Sequence, residues 1–225
     1  MMLVIPKRNR IAERREGTRA EILQTAWELA DEKGLAGFTL RDLAERVGMR
    51  APSLYTHFES KNAIYDAMFG EAWSDYEQVA LAELAELPKA PRAALRRVAR
   101  VFFDYAVAHP ARYQLMNQRT IPGFEPSADS YAPAVRGLEL GKQIARNLGL
   151  TDLSDFDIWT AMISGLINQQ LANDPGGTRW SALVDRAIEI LADGAGIPPD
   201  PPDAKPAGNL TPPLGSSDHS TRSTS

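Results

Sequence analysis

Apolar residues recur at helical spacing in one segment of this chain after another. Ile22, Leu23, Ala26, Trp27, Leu29 and Ala30 form a first stripe, on a helix that Thr18 and Glu21 open as a capping box and Gly34 ends. Leu40, Leu43, Ala44 and Val47 share one face of a short second helix. Thr39 caps its start with Asp42 three residues on, and Gly48 supplies the left-handed stop. Pro52 sits in the first turn of a third helix over 51–57, where its missing N–H costs nothing. Leu54 and Phe58 can pack that helix back on the second. Ser60 then caps a long helix reaching about residue 87. Its stripe is Ile64, Tyr65, Met68, Phe69, Trp73, Tyr76, Ala80 and Leu84.

The remaining segments continue the pattern. Pro91 opens a helix over 91–109, and Pro110 breaks it and starts a short one over 111–119. After a loop, Ser127 or Ser130 begins a helix to about 148, stopped by Gly149. Ser154 caps the next, over 154–173. A Pro175-Gly176-Gly177 turn leads to the last, over 178–193. From Gly194 onward Pro, Gly, Ser and Thr dominate and aromatics vanish, which predicts disorder over 195–225. The expected fold is all-α, in four parts. Residues 1–16 form a basic arm, 17–62 a three-helix helix-turn-helix domain, 63–194 a helical bundle, and 195–225 a tail.

The stretch 38–61 carries the most specific chemistry. Its second helix is too short to be held by Leu54 and Phe58 for structure alone. Its outer face holds Ser53, Tyr55, Thr56 and His57, flanked by Arg50 and Lys61. Such a face suits a helix lying in the major groove of duplex DNA. Thr39 and Arg41 stand at a helix N-terminus, where free N–H groups attract phosphate. The candidate DNA-binding residues are therefore Thr39, Arg41, Arg50, Ser53, Tyr55, Thr56, His57 and Lys61. A simple αα-hairpin explains the turn at Gly48 but not the polar outer face.

Phe38-Thr39-Leu40-Arg41-Asp42-Leu43-Ala44, Gly48, Ser53-Leu54-Tyr55-Thr56-His57-Phe58 and Lys61 resemble the DNA-binding domain of the TetR family of bacterial regulators. The resemblance reaches back to about Thr18 and covers roughly a quarter of the chain. It implies an all-helical homodimer with a variable ligand-binding domain after the reader, acting on an operator as a repressor. The runs HPARYQLMNQRTIPGF and IWTAMISGLINQQL resemble the C-terminal domain of a TetR subgroup widespread in actinobacteria.

Charge distribution fits a DNA contact at one end. The net charge is −4. Residues 1–61 hold 11 basic and 9 acidic side chains, and the rest hold 14 and 20. There is no cysteine, and His57, His109 and His219 lack ligand spacing, so no metal or cofactor is expected. No apolar run reaches the ~18 residues of a membrane span. A cytoplasmic protein is the expectation. No phosphate loop, HExxH or GxSxG occurs, so no catalytic residue is assigned.

Aromatic and methionine side chains crowd the predicted bundle. Phe102, Phe103, Tyr105, Tyr113, Met116, Phe124, Trp159 and Met162 are candidate walls of a pocket for a small apolar or aromatic molecule. The last two helices carry apolar residues on more than one face, which calls for a second partner. A second copy about a twofold axis meets that need. The competing reading is a helical binding or catalytic protein whose helix-turn-helix is incidental.

Overall fold

The computed structural model describes residues 10–201, and among them every regular element is a helix. Helix α1 spans Arg10–Lys33. It starts eight residues before the expected Thr18, because the Arg- and Glu-rich lead-in consists of good helix formers. Thr18 is an interior residue whose hydroxyl donates back to Arg14 O at 3.1 Å. Part of the expected basic arm is thus the first two turns of α1. The rest of that arm, residues 1–9, lies outside the described residues.

Helix α2, Leu40–Val47, has the expected capping box. Asp42 N–H donates to Thr39 Oγ1 at 3.1 Å, and Thr39 N–H donates to Asp42 Oδ2 at 2.8 Å. Gly48 closes it at φ 77°, a conformation with little cost only for glycine. Helix α3 covers Ala51–Leu54. It is shorter than the expected 51–57: Thr56 N–H bonds Ser53 O and His57 N–H bonds Leu54 O, so residues 55–57 are tight turns.

Helix α4, Lys61–Glu83, begins at Ser60, whose side chain accepts from Ala63 N–H. Helices α5, Pro91–Ala108, and α6, Pro110–Asn117, meet at His109. Helix α7, Ala128–Asn147, is capped by Ser127. Asp66 on α4 fixes that start, accepting from Ser127 N–H at 2.6 Å and from the Ser127 and Ser130 hydroxyls. Helix α8, Leu153–Asn173, is capped by Asp152 and not by Ser154, whose N–H is the donor.

Helix α9, Val184–Gly194, starts later than the expected residue 178, after a 3-10 turn at Ser181–Leu183. The cause is Gln170, a buried amide on α8. Its Oε1 accepts from Trp180 N–H and Ser181 N–H, and its Nε2 donates to Gly177 O, so the connection is held as a turn.

Two hydrophobic clusters organise the chain. The first joins Ile22, Trp27, Phe38, Leu43, Leu54 and Phe58 to Tyr65, Met68 and Phe69 of α4. It continues into Tyr105, Leu115, Met116 and Ala134. The second joins Leu95, Phe103, Tyr113, Trp159, Ile163, Ile167 and Ile188. The core of the first three helices therefore runs into α4, α5, α6 and α7 without a break at residue 62.

The start of the predicted tail is ordered. Ile197 is buried in the second cluster. Arg92, itself buried, donates from Nε to Ile197 O and Pro198 O, and Asp200 pairs with Arg96 at 2.9 Å. The expectation of disorder from 195 is corrected for residues 195–201. A single apolar side chain and a set of carbonyl acceptors matched to α5 outweigh the local Pro and Gly content. Residues 202–225 lie outside the described residues.

Candidate nucleic-acid interface and ligand cavity

The reader is built on a buried base. Leu54 and Phe58 are buried on the α2 side, beside Leu43 and Ala44. This fixes which way α3 faces. Arg50, Ser53, Tyr55 and Thr56 are all exposed, as are Thr39 and Arg41 at the start of α2. Among the described residues neither Arg41 nor Arg50 forms an ion pair, which leaves both cations available to phosphate. Arg46, in contrast, is committed to Glu32 through two bonds of 2.9 and 2.8 Å. Thr56 Oγ1 donates to Ser53 O at 2.7 Å and keeps its lone pairs for a partner.

Two of the expected contacts are turned inward. His57 is half-buried, and its Nδ1 is buried without a protein partner. Lys61 is half-buried too. Its ammonium donates to Phe38 O at 2.5 Å and lies over the Phe38 and Tyr65 rings at 4.5 and 5.2 Å. Burial lowers its pKa, opposed by the nearby Asp42 carboxylate. Phosphate contact by Lys61 must compete with that carbonyl.

Two arginines on α1 support α3 in a role the sequence did not indicate. Arg15 donates to Thr56 O at 3.2 Å. Arg19 donates to His57 O and stacks its guanidinium 4.0 Å over the Phe58 ring. Together they satisfy carbonyls that the short α3 leaves free. The i, i+4 spacing of Arg15 and Arg19 was visible, but their target was not.

The bundle holds a cavity of about 190 Å³ walled by Trp73 and Tyr76 of α4, Val98, Ala99 and Phe102 of α5, and Asn117 of α6. Gly137, Leu138 and Gly141 of α7 and Phe156, Trp159, Thr160, Ile163 and Ser164 of α8 complete it. Of the eight expected lining residues it contains Phe102 and Trp159. Met116 and Phe124 line a second, more polar cavity with Phe69, Gln118, Arg119 and Tyr131.

Phe103 and Tyr113 are core residues, and Met162 packs against the same core. Tyr105 is buried, with its hydroxyl donating to Ala72 O at 3.0 Å. Burial raises its pKa to about 12. The correction has a geometric cause: Phe102 and Phe103 are adjacent on α5 and point about 100° apart, so only one can face the cavity. Gly137 and Gly141 give the room. A Cβ on either would meet the Trp73 or Phe156 ring at about 3.6–3.7 Å.

The cavity is linked to the reader through α4. Trp73 lies twelve residues from Lys61, about 18 Å along the helix. Trp27 Nε1 on α1 donates to Glu71 at 2.9 Å, and Arg112 on α6 stacks 4.5 Å over Trp27 while pairing with Asp75 at 2.6 Å.

Residues 22–68 match the family model for bacterial regulatory proteins of the tetR family. Tetracycline repressor protein class C of Escherichia coli is 46% identical over 50 residues, 22% of this chain and 23% of that protein. The HTH-type transcriptional repressor DrrR1 of Streptomyces coeruleorubidus is 29% identical over 184 residues, 77% of this chain and 64% of that one. The chain thus spans less than two thirds of the length of these relatives. AibR, solved in complex with isovaleryl coenzyme A and operator DNA, superposes with a TM-score of 0.59 at 17% identity. That likeness covers 77% of this chain and 97% of AibR and is one of fold. Among the described residues no helix is long and apolar enough to cross a membrane.

Proposed function

We propose, from the premise that this chain is a TetR-family protein, that it is a cytoplasmic, ligand-responsive transcriptional repressor working as a homodimer. The observation that carries the reading is the face of α3. Leu54 and Phe58 are buried beneath it, and Arg50, Ser53, Tyr55 and Thr56 stand exposed above. Tyr55 and Ser53 meet base edges or phosphates in the major groove, and Arg41 and Arg50 neutralise flanking phosphates. An incidental hairpin would tolerate acidic side chains on that face, and residues 50–58 carry none.

The dimer forms on α8 and α9. Ile158 and Ile190 are exposed, and Ala161 and Gly165 are exposed on α8, letting a second helix approach closely. Ile163, Ile167 and Ile188, on the other face of the same two helices, belong to the core of one chain. Two readers on a twofold axis then meet half-sites about 34 Å apart.

A molecule in the bundle cavity bears on Trp73 and Tyr76, and through α4 on Lys61, Phe38 and α2. It releases DNA only by binding the reader-misaligned dimer more tightly than the aligned one. Moving the population from 1:99 to 99:1 takes about a 10⁴-fold preference. A gel shift with DNA upstream of the chain's own gene tests the reading. Salt-sensitive, sequence-specific retardation is expected. Failure to retard that DNA or any competitor overturns it.

A further inference from the structure

The first two turns of α1 bury nothing. Residues 10–17 are all exposed, and the buried positions of the helix begin at Ile22. Eight residues of helix make an overhang of about 12 Å, too short to be stable without the packed helix that it continues. Its place is fixed on the reader's own turn. Arg15 donates to Thr56 O at 3.2 Å, and Arg19, one turn on, donates to His57 O and stacks over the Phe58 ring. The overhang lies past these contacts along the axis of α1, beside the end of α3.

Its charges are sorted by side. At about 100° per residue, Arg10, Arg14, Ile11 and Arg15 share one arc of about 140°, and Glu13 and Glu16 fall on the opposite side. Ile11, 81% exposed, stands between Arg14 and Arg15, so the arc differs from an ordinary solvated charged face. In the bundle Arg92, Arg96, Arg97, Arg100, Arg112 and Arg136 are all paired with carboxylates. Among the described residues neither Arg10 nor Arg14 forms an ion pair. They join Arg41 and Arg50 as unpaired guanidinium groups around the reader. A guanidinium fork matches phosphate oxygens in pairs.

We propose that the first two turns of α1 are a second DNA contact beside α3. Arg10 and Arg14 neutralise phosphates of the backbone bordering the groove in which α3 lies. Arg15 and Arg19 act as positioning residues that hold the overhang to the reader. Phosphate contacts fix register and orientation and carry no base information, so this contact adds affinity and leaves sequence preference to α3. The proposal rests on the reading of α3 as the reader.

A salt titration of the full chain tests it, using fluorescently labelled duplex from upstream of the chain's own gene and an unrelated duplex of equal length. The Arg10→Gln/Arg14→Gln double variant should melt like the parent, since neither side chain is buried. Its log affinity should fall less steeply with log salt, by about 1.8 per subunit. Between 50 and 200 mM salt the drop in affinity then shrinks by about tenfold per subunit. Both duplexes should be weakened alike. Glu16→Gln changes the charge by as much as Arg14→Gln but on the far side of the helix, and should leave the slope unchanged.

A double variant with the parent's slope would overturn the contact. So would a Glu16→Gln variant that steepens the slope as much as Arg14→Gln flattens it, because net charge alone would then act. A loss confined to the upstream duplex would make the arginines base readers and overturn the phosphate assignment. If the parent binds phosphatidylserine vesicles through these arginines while the DNA slope stays fixed, the arc belongs to a membrane surface. A parent that binds neither duplex sinks the reader and this contact together. A parent that prefers the upstream duplex, with a double variant of equal slope, sinks this contact alone.

Discussion

Leu54 is 1% exposed and its neighbour Tyr55 is 55% exposed, so the two side chains separate folding from recognition. Leu54→Ala should cost about 2–5 kcal/mol of stability, seen as a lower melting temperature before any DNA is added. Tyr55→Ala should melt like the parent and lose about 1–3 kcal/mol on the cognate operator if a base contact is removed. Equal operator affinity for a folded Tyr55→Ala protein would remove α3 as the reader.

Lys61 belongs to both categories, because its ammonium sits on Phe38 O and against two rings. Lys61→Ala should therefore lower thermal stability as well as weaken binding to all sequences. Lys61→Met, which keeps the stem but not the ammonium, should restore only the packing share of the stability and none of the DNA binding. A Lys61→Ala protein that binds operator normally would confine Lys61 to the structural role.

At the scale of elements, the segment after α9 acts as a strap across the start of α5. Ile197 fills the second core, and Asp200 accepts from Arg92 N–H at 3.1 Å while pairing with Arg96. A chain ending at residue 195 should be less stable than one ending at 201. The loss of buried Ile197 alone is about 1.5–3 kcal/mol. For a chain of this size that amounts to a drop of roughly 5–10 °C. Matching melting curves for the two truncations would mean that the strap contributes nothing. Pro198, Pro199 and Pro201 make this stretch look unstructured in sequence, yet proline fixes the backbone in advance and so reduces the entropy lost on docking.

At the scale of the whole molecule, the proposed dimer rests on the exposed faces of α8 and α9. Ile158 is 50% and Ile190 56% exposed, whereas Ile167 is fully buried. Ile158→Arg should halve the mass seen by light scattering at micromolar concentration, keep the helical circular dichroism, and weaken operator binding through lost avidity. Ile167→Arg should unfold or aggregate the chain, because it places a charge in the second core. A parent chain that scatters as a monomer would overturn the twofold assembly.

The sequence by itself determined what depends on neighbours three and four residues away. The Thr39–Asp42 box, the Gly48 stop, the Ser60 cap and the burial of Leu54 and Phe58 were all legible, because capping and helical periodicity are local. The polar face of α3 followed directly, since fixing one side of a short helix fixes the other. Tertiary structure decided what depends on how helices rotate against distant partners. It turned Phe102 and Trp159 to the cavity and Phe103, Tyr105 and Tyr113 to the core. It brought Arg15 and Arg19 under α3, drew Lys61 onto Phe38 O, and laid Ile197 against α5. Each of these pairs side chains tens of residues apart, and a helix's apolar stripe sets only which face is buried, not which neighbour meets it.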